Sequence, residues 1–212
     1  PAVIRVLARF FSFLFHPVFV PVYVVFFLVY VHPYFFSGFS SFNKIRILGM
    51  SLVMYSLFPI VTVLLLKALD FISNIQLATQ KDRVIPLVAC GIWYAWICYV
   101  WWNNHKLNDG LSIPKEAIQF SLAVFLASWL ALMANIKIKI SLHAISVGVM
   151  LTFIVLLALS QGLSYGIYIS AALLITGVVC TSRLIVSDHS TLEVYGGLAV
   201  GMVAMLLASQ FG

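Results

Sequence analysis

A chain of 212 residues that is 63% hydrophobic and only 8% charged has too much apolar surface to hide in water, which excludes a soluble domain. Its 12 Lys and Arg residues outnumber 6 acids, for a net charge of +6. They are scattered singly between apolar runs, without a basic stripe, which argues against nucleic acid and for anionic headgroups or a phosphate-bearing ligand.

In chain order, residues 1–16 set Arg5 and Arg9 into an apolar run with no small-residue cleavage site. They read as an amphipathic interfacial segment, not as a cleavable signal peptide. Seven apolar segments come next, at roughly 17–36, 45–69, 84–102, 116–134, 142–160, 164–181 and 194–211. Most are long enough to span a bilayer as helices, which satisfy their own backbone hydrogen bonds in lipid. Pro17, Pro21, His32 and Pro33 interrupt the first, so the expected number of spans is six or seven. The last, "GGLAVGMVAMLLAS", is short and rich in small residues that suit close helix packing. The expected fold is therefore all-α, a single polytopic membrane helix bundle of six to seven transmembrane helices over residues 1–212. Cys90, Cys98 and Cys180 lie inside apolar segments without metal-type spacing and read as small buried hydrophobes. No sequence feature sets an oligomeric state.

Three linkers carry the polar chemistry: "DFISNIQLATQKDRVIP", "NIKIKISLH" and "SRLIVSDHSTLE". Two spans separate each from the next, so parity places all three on one side of the membrane. They hold Lys81, Arg83, Lys137, Lys139, Arg183, His143, His189 and Glu193. Such groups are costly near membrane helices unless they face water, a partner or a ligand. The linkers of the opposite side carry Lys44, Arg46, Lys106 and Lys115 and little that looks like chemistry.

If the chain is helical from Asp188 onward, His189 and Glu193 are i and i+4 and share a face. The carboxylate then fixes the imidazole tautomer and leaves the other nitrogen free as a nucleophile. Arg183 offers a planar fork of donors suited to phosphate oxygens. Ser141 and His143 come just after Lys137 and Lys139, and a second histidine can act as general acid. Lys81 and Arg83 add cations, and phosphoryl transfer depends mainly on positioning and charge neutralisation. Lys137 reads as an interfacial anchor and Asp188 as a solvated or capping residue. His16, His32 and His105 lack charged company in the sequence and read as interfacial. The aromatic group from Trp93 to Trp102 reads as a core face plus an interfacial belt.

These residues resemble the type-2 phosphatidic acid phosphatase superfamily. "SRLIVSDHSTLE" is similar to its third signature, S-R-x5-H-x3-D, with Glu193 in place of Asp. "ISLH" is similar to the second, P-S-G-H, keeping Ser141 and His143 but with Ile140 and Leu142 for Pro and Gly. "KDRVIP" is weakly similar to the first, K-x6-R-P, with Lys81 two residues before Arg83 and Pro86 three after it. The resemblance covers about residues 80–195. It implies a membrane lipid phosphate phosphatase that needs no metal or other cofactor. His189 would become a phosphohistidine, Glu193 would orient it, and His143 would protonate the leaving group and then activate water. Arg183, Ser141, Arg83, Lys81 and Lys139 would hold the phosphate. It also implies a multi-pass protein of a bacterial inner membrane with the site on its outer face. An amphiphilic lipid phosphate, reached through the bilayer, is the expected substrate. Two other readings use the same residues, an anion or lipid transporter with a polar path and a metal-dependent membrane hydrolase.

Overall fold

Helices are the regular elements of the computed structural model, which describes residues 2–77, 79–106, 112–161, 165–186 and 189–211, without the side chains of residues 105 and 106. Asp188 and residue 164, the expected start of the sixth apolar segment, lie outside the described residues. Helix α1 (Ala2–Leu14) buries only Ala8 and Ser12 and leaves Val3, Val6, Phe10 and Phe13 open. It lies against α8 (Gly166–Val186). This is the geometry of a helix that rests in an interface and contributes one narrow stripe to the protein.

Among the described residues, six helices are long and apolar enough to cross a membrane, and they mark a membrane-embedded protein. The first is a continuous rod from Ser41 to Ala68, made of α3 (Ser41–Leu52), a π-helical turn (Val53–Leu57) and α4 (Phe58–Ala68). The others are α5 (Gln80–Lys106), α6 (Lys115–Asn135), α7 (Leu142–Gln161), α8 and α9 (Thr191–Ala208).

The earliest apolar segment takes a different form. Its helix α2 (Val20–Phe26) runs on into a π-helical turn and stops at Val31. Pro17 keeps the residues just before α2 out of regular helix, Pro21 is accommodated in the first turn of α2, and Pro33 biases His32 into the extended conformation observed there. Twelve residues at about 1.5 Å each reach about 18 Å, short of a ~30 Å hydrocarbon core. Residues 16–32 nevertheless run between the two ends of the bundle. His16 packs edge-on against His143 near the start of α7, with ring centroids 5.1 Å apart. His32 Nε2 and the Tyr165 hydroxyl are hydrogen-bonded at 2.6 Å, just before α8 begins. The described residues thus hold six full-length helices and a shorter apolar segment beside them.

Direct hydrogen bonds hold the polar linkers together. Gln80 Nε2 donates to the Asn135 carbonyl (3.0 Å) and Asn135 Nδ2 donates to the Gln80 carbonyl (2.8 Å), a reciprocal clamp between the start of α5 and the end of α6. Arg83 Nη1 donates to the Ile140 carbonyl at 2.6 Å. The Ser141 amide donates to the Glu193 carbonyl at 3.0 Å. The far end is closed by Gln119 Nε2, which donates to the carbonyls of Ser209 (3.2 Å) and Phe211 (3.0 Å).

Helices α7 and α9 meet along a seam of glycines. A Cβ at Gly148 would lie 2.5 Å from the Leu198 carbonyl oxygen, one at Gly197 2.7 Å from that of Ser141, and one at Gly201 would overlap that of Ile145. Small residues let membrane helices approach backbone to backbone. At the end nearest the linkers, this contact fixes the start of α9 against the start of α7.

Candidate active site

Glu193 is the third residue of α9, and Ser190 is the cap before it. The Glu193 amide donates to Ser190 Oγ (3.3 Å), and the Ser190 amide donates to Glu193 Oε2 (2.9 Å), a reciprocal capping box. The same oxygen accepts from His189 Nδ1 at 3.1 Å. His189 therefore precedes the helix and is not part of it, which corrects the expectation of a helix running on from Asp188. Ser190, with Glu193 three residues on, starts the helix later. The His189–Glu193 contact forms because the carboxylate reaches back over the cap. With its proton on Nδ1, held by the carboxylate, the imidazole presents Nε2 as a lone pair.

His189 is buried and borders a cavity of about 590 Å3. Burial lowers its pKa below the ordinary histidine value. Arg183 and Arg83 act in the same direction, and the hydrogen bond and charge of Glu193 oppose them. The neutral ring that a nucleophile requires is thus the form favoured at neutral pH.

Arg83, His143 and Arg183 border the same cavity. Arg183 sits in the last turn of α8, which extends to Val186, farther than the apolar pattern that ends at 181. Arg83 is buried and partly committed, since its Nε donates to the Leu77 carbonyl (3.0 Å) and its Nη1 to the Ile140 carbonyl. These bonds tie the first two linkers to one guanidinium. Asp82 secures the first linker from behind, accepting from the Ser73 amide (2.8 Å), Ser73 Oγ (2.6 Å) and Thr79 Oγ1 (2.8 Å). His143 Nε2 lies 3.0 Å from the Ser12 carbonyl, to which it donates. Its tautomer is therefore set by the main chain of α1.

The remaining expected phosphate ligands are placed elsewhere. Ser141 is fully buried in the wall behind His143, with Oγ 3.5 Å from the Ala144 amide, and it is not among the cavity-lining residues. Lys81 is exposed and acts electrostatically on Asp82. Lys139 is half-buried and acts on Glu193. Neither lysine lines the cavity. Among the described residues, no three His, Cys, Asp or Glu side chains gather as a metal-ligand set.

Beyond its charged end the cavity is apolar. It runs between α4 (Ile60, Val63, Leu64), α5 (Pro86, Leu87, Cys90) and α6 (Phe120, Val124). Phe120 lies near the end of α6 remote from the linkers, so the apolar part extends well into the bundle. His16 also borders the cavity, although its sequence context reads as interfacial. Crowding by protein and the charge of Arg183 lower its pKa to about 4. No signal in the sequence marks it, because the site residues it meets, His143 and Arg183, lie more than a hundred residues away in the chain. The capping box, in contrast, is legible as S-x-x-E. Compared with protein-family models, curated proteins and solved structures, the chain matches none.

Proposed function

We propose that this protein is a membrane lipid phosphate phosphatase that works through a phosphohistidine on His189, in the manner of the type-2 phosphatidic acid phosphatases. One observation carries the reading: a histidine whose Nδ1 is held by a carboxylate borders the same cavity as two guanidinium groups, and that cavity continues into an apolar sleeve. A phosphate with a hydrocarbon tail fits both halves. Arg83 and Arg183 neutralise the phosphoryl oxygens, His189 Nε2 attacks phosphorus as the bond from phosphorus to the leaving oxygen breaks, His143 protonates that oxygen and then takes a proton from the water that releases phosphate, and Glu193 stabilises the imidazolium that forms at His189. The substrate is a phosphomonoester or diphosphate on an amphiphile, of the phosphatidic acid, phosphatidylglycerol phosphate, polyprenyl diphosphate or lipid A type. The protein belongs on this reading to a bacterial inner membrane, with the site on its outer face.

The test is release of inorganic phosphate from a panel of these lipids by the purified protein in detergent with excess EDTA, beside His189→Ala. The expected result is release that survives the chelator and falls by several orders of magnitude in the variant. Release abolished by EDTA would overturn the mechanism in favour of a metal-dependent hydrolase. No release from any lipid would favour transport.

A further inference from the structure

The apolar part of the cavity ends against aromatic rings. Its lining residues farthest from the linkers are Tyr94 on α5, Phe120 on α6 and Val149 on α7. Beyond them the rings close into a layer. Phe120 and Phe153 pack with centroids 5.0 Å apart, and Tyr55 lies 5.9 Å from Tyr94 and 6.2 Å from Trp101. The Tyr55 hydroxyl donates to Ser121 Oγ at 2.8 Å, which ties the layer to the residue after Phe120. Tyr55, Trp101, Phe120 and Phe153 are each 2% exposed or less. Rings packed and tethered in this way do not yield as a single flexible side chain does.

The walls above this floor suit hydrocarbon. Ser128 and Ser146 line the cavity, but each hydroxyl donates to a carbonyl of its own helix, Phe125 at 2.7 Å and His143 at 2.9 Å. Leu87, Cys90, Val124 and Ala127 lie between the guanidinium groups and the floor. The depth can be read along two helices. Arg83 to Tyr94 on α5 and Ala131 to Phe120 on α6 are each eleven residue steps, about 16 Å of helix. One leaflet of a ~30 Å hydrocarbon core has about that depth. The whole cavity, about 590 Å3, falls within the ~300–1,000 Å3 of sites that enclose one small ligand.

Resting on the phosphatase reading, we infer that Phe120 and Tyr94 determine substrate specificity by length: the sleeve takes one unbranched hydrocarbon tail, about one leaflet long, and the two rings stop its terminal methyl. Any further tail stays in the bilayer. A tail that arrives from lipid gains little by exchanging one apolar medium for another, so the selection works by exclusion. A chain that is too long meets the rings, and its phosphate is held back from Arg83, Arg183 and His189. The class selected is an acyl or alkyl phosphate, and a long polyprenyl chain outruns the sleeve.

The experiment measures phosphate release from n-alkyl phosphates, lengthened two carbons at a time from octyl to octadecyl, at equal mole fraction in detergent micelles. Phe120→Ala, which lowers the floor, and Ala127→Leu, which fills the sleeve above it, are assayed beside the unaltered protein. Comparing variant with parent at each length cancels differences in micelle partition. For the unaltered protein kcat/KM should drop by about 10-fold or more once the chain passes a limiting length. That limit should move to longer chains in Phe120→Ala and to shorter ones in Ala127→Leu. Opposite shifts cannot come from a general loss of folding, and Ala127→Leu keeps the test open if Phe120→Ala fails to fold. Hydrolysis with no limiting length, or with a limit that stays fixed in the variants, would overturn the inference and leave the phosphatase reading intact. If no alkyl phosphate is hydrolysed, n-alkyl phosphonates of the same lengths are scored by the rise in melting temperature they cause. A length limit there that shifts in the same two directions would uphold the sleeve and overturn the phosphatase reading. Absence of any length dependence would overturn both.

Discussion

Glu193 Oε2 receives two hydrogen bonds, from the His189 ring and from the Ser190 amide, so a substitution there has two separable effects. Glu193→Gln keeps the shape of the cap but removes the charge that, on the phosphatase reading, favours the imidazolium formed during attack. Turnover is expected to fall about 10²–10⁴-fold, with a smaller loss of thermal stability, of order 1 kcal/mol. The pH profile supplies the second readout. On the phosphatase reading His189 attacks as the neutral ring, and burial with Arg183 and Arg83 lowers its pKa. The acid limb of kcat/KM should therefore lie below the ordinary histidine value of ~6.5. Because Glu193 pulls in the opposite direction, Glu193→Gln should move that limb to still lower pH. Arg83 and Arg183 also separate. Arg83 bonds two carbonyls, so Arg83→Lys should lower activity and also destabilise the fold by about 1–3 kcal/mol per orphaned carbonyl, read as a lower melting temperature. That substitution is conservative in charge alone.

At the scale of elements, the α7–α9 seam decides where His189 sits. The Gly201 position has no room for a Cβ beside the Ile145 carbonyl, and backbone cannot yield as a flexible side chain can. Gly201→Ala should force the helices apart, lower stability by about 1–3 kcal/mol and reduce phosphate release, although Gly201 is not among the residues that line the cavity. Thermal unfolding in detergent and turnover together check this. Here the sequence is informative but not sufficient. The small residues of "GGLAVGMVAMLLAS" indicate close packing and not its partner. The His189–Glu193 pairing is implied by spacing, yet its helical explanation does not hold, because Ser190 as a cap delays the helix. Hydropathy also ends the sixth segment at 181. Helix α8 continues through Arg183 because a long basic side chain in a last turn can reach a polar cavity while its backbone stays helical.

At the scale of the molecule, hydropathy and parity locate the spans and gather the three linkers, since both depend only on composition along the chain. Contacts of long sequence separation are beyond them, and His16 beside His143 is the clearest case. The short segment from Val20 to Val31 matters most to the topology. Its course from the site end to the His32–Tyr165 bond at the far end puts Leu14 on the side of Lys137, and Ser37 on the other. Single cysteines replacing Leu14, Lys137 and Ser37 can be probed in intact vesicles with a membrane-impermeant maleimide. Leu14→Cys and Lys137→Cys should react from one side and Ser37→Cys only from the other. Shared sidedness of the Leu14 and Ser37 positions would mean that residues 16–32 turn back within the bilayer.

The capping box at the start of α9 has one further consequence. Because the Ser190 amide hydrogen is held by the carboxylate oxygen that also holds the His189 ring, fraying of that first helical turn releases both at once. Deuterium uptake at this one amide is then a gauge of His189 order that can be read without any turnover. Additives or bilayer compositions that slow the uptake should be those under which the imidazole spends the largest fraction of its time aimed at the cavity.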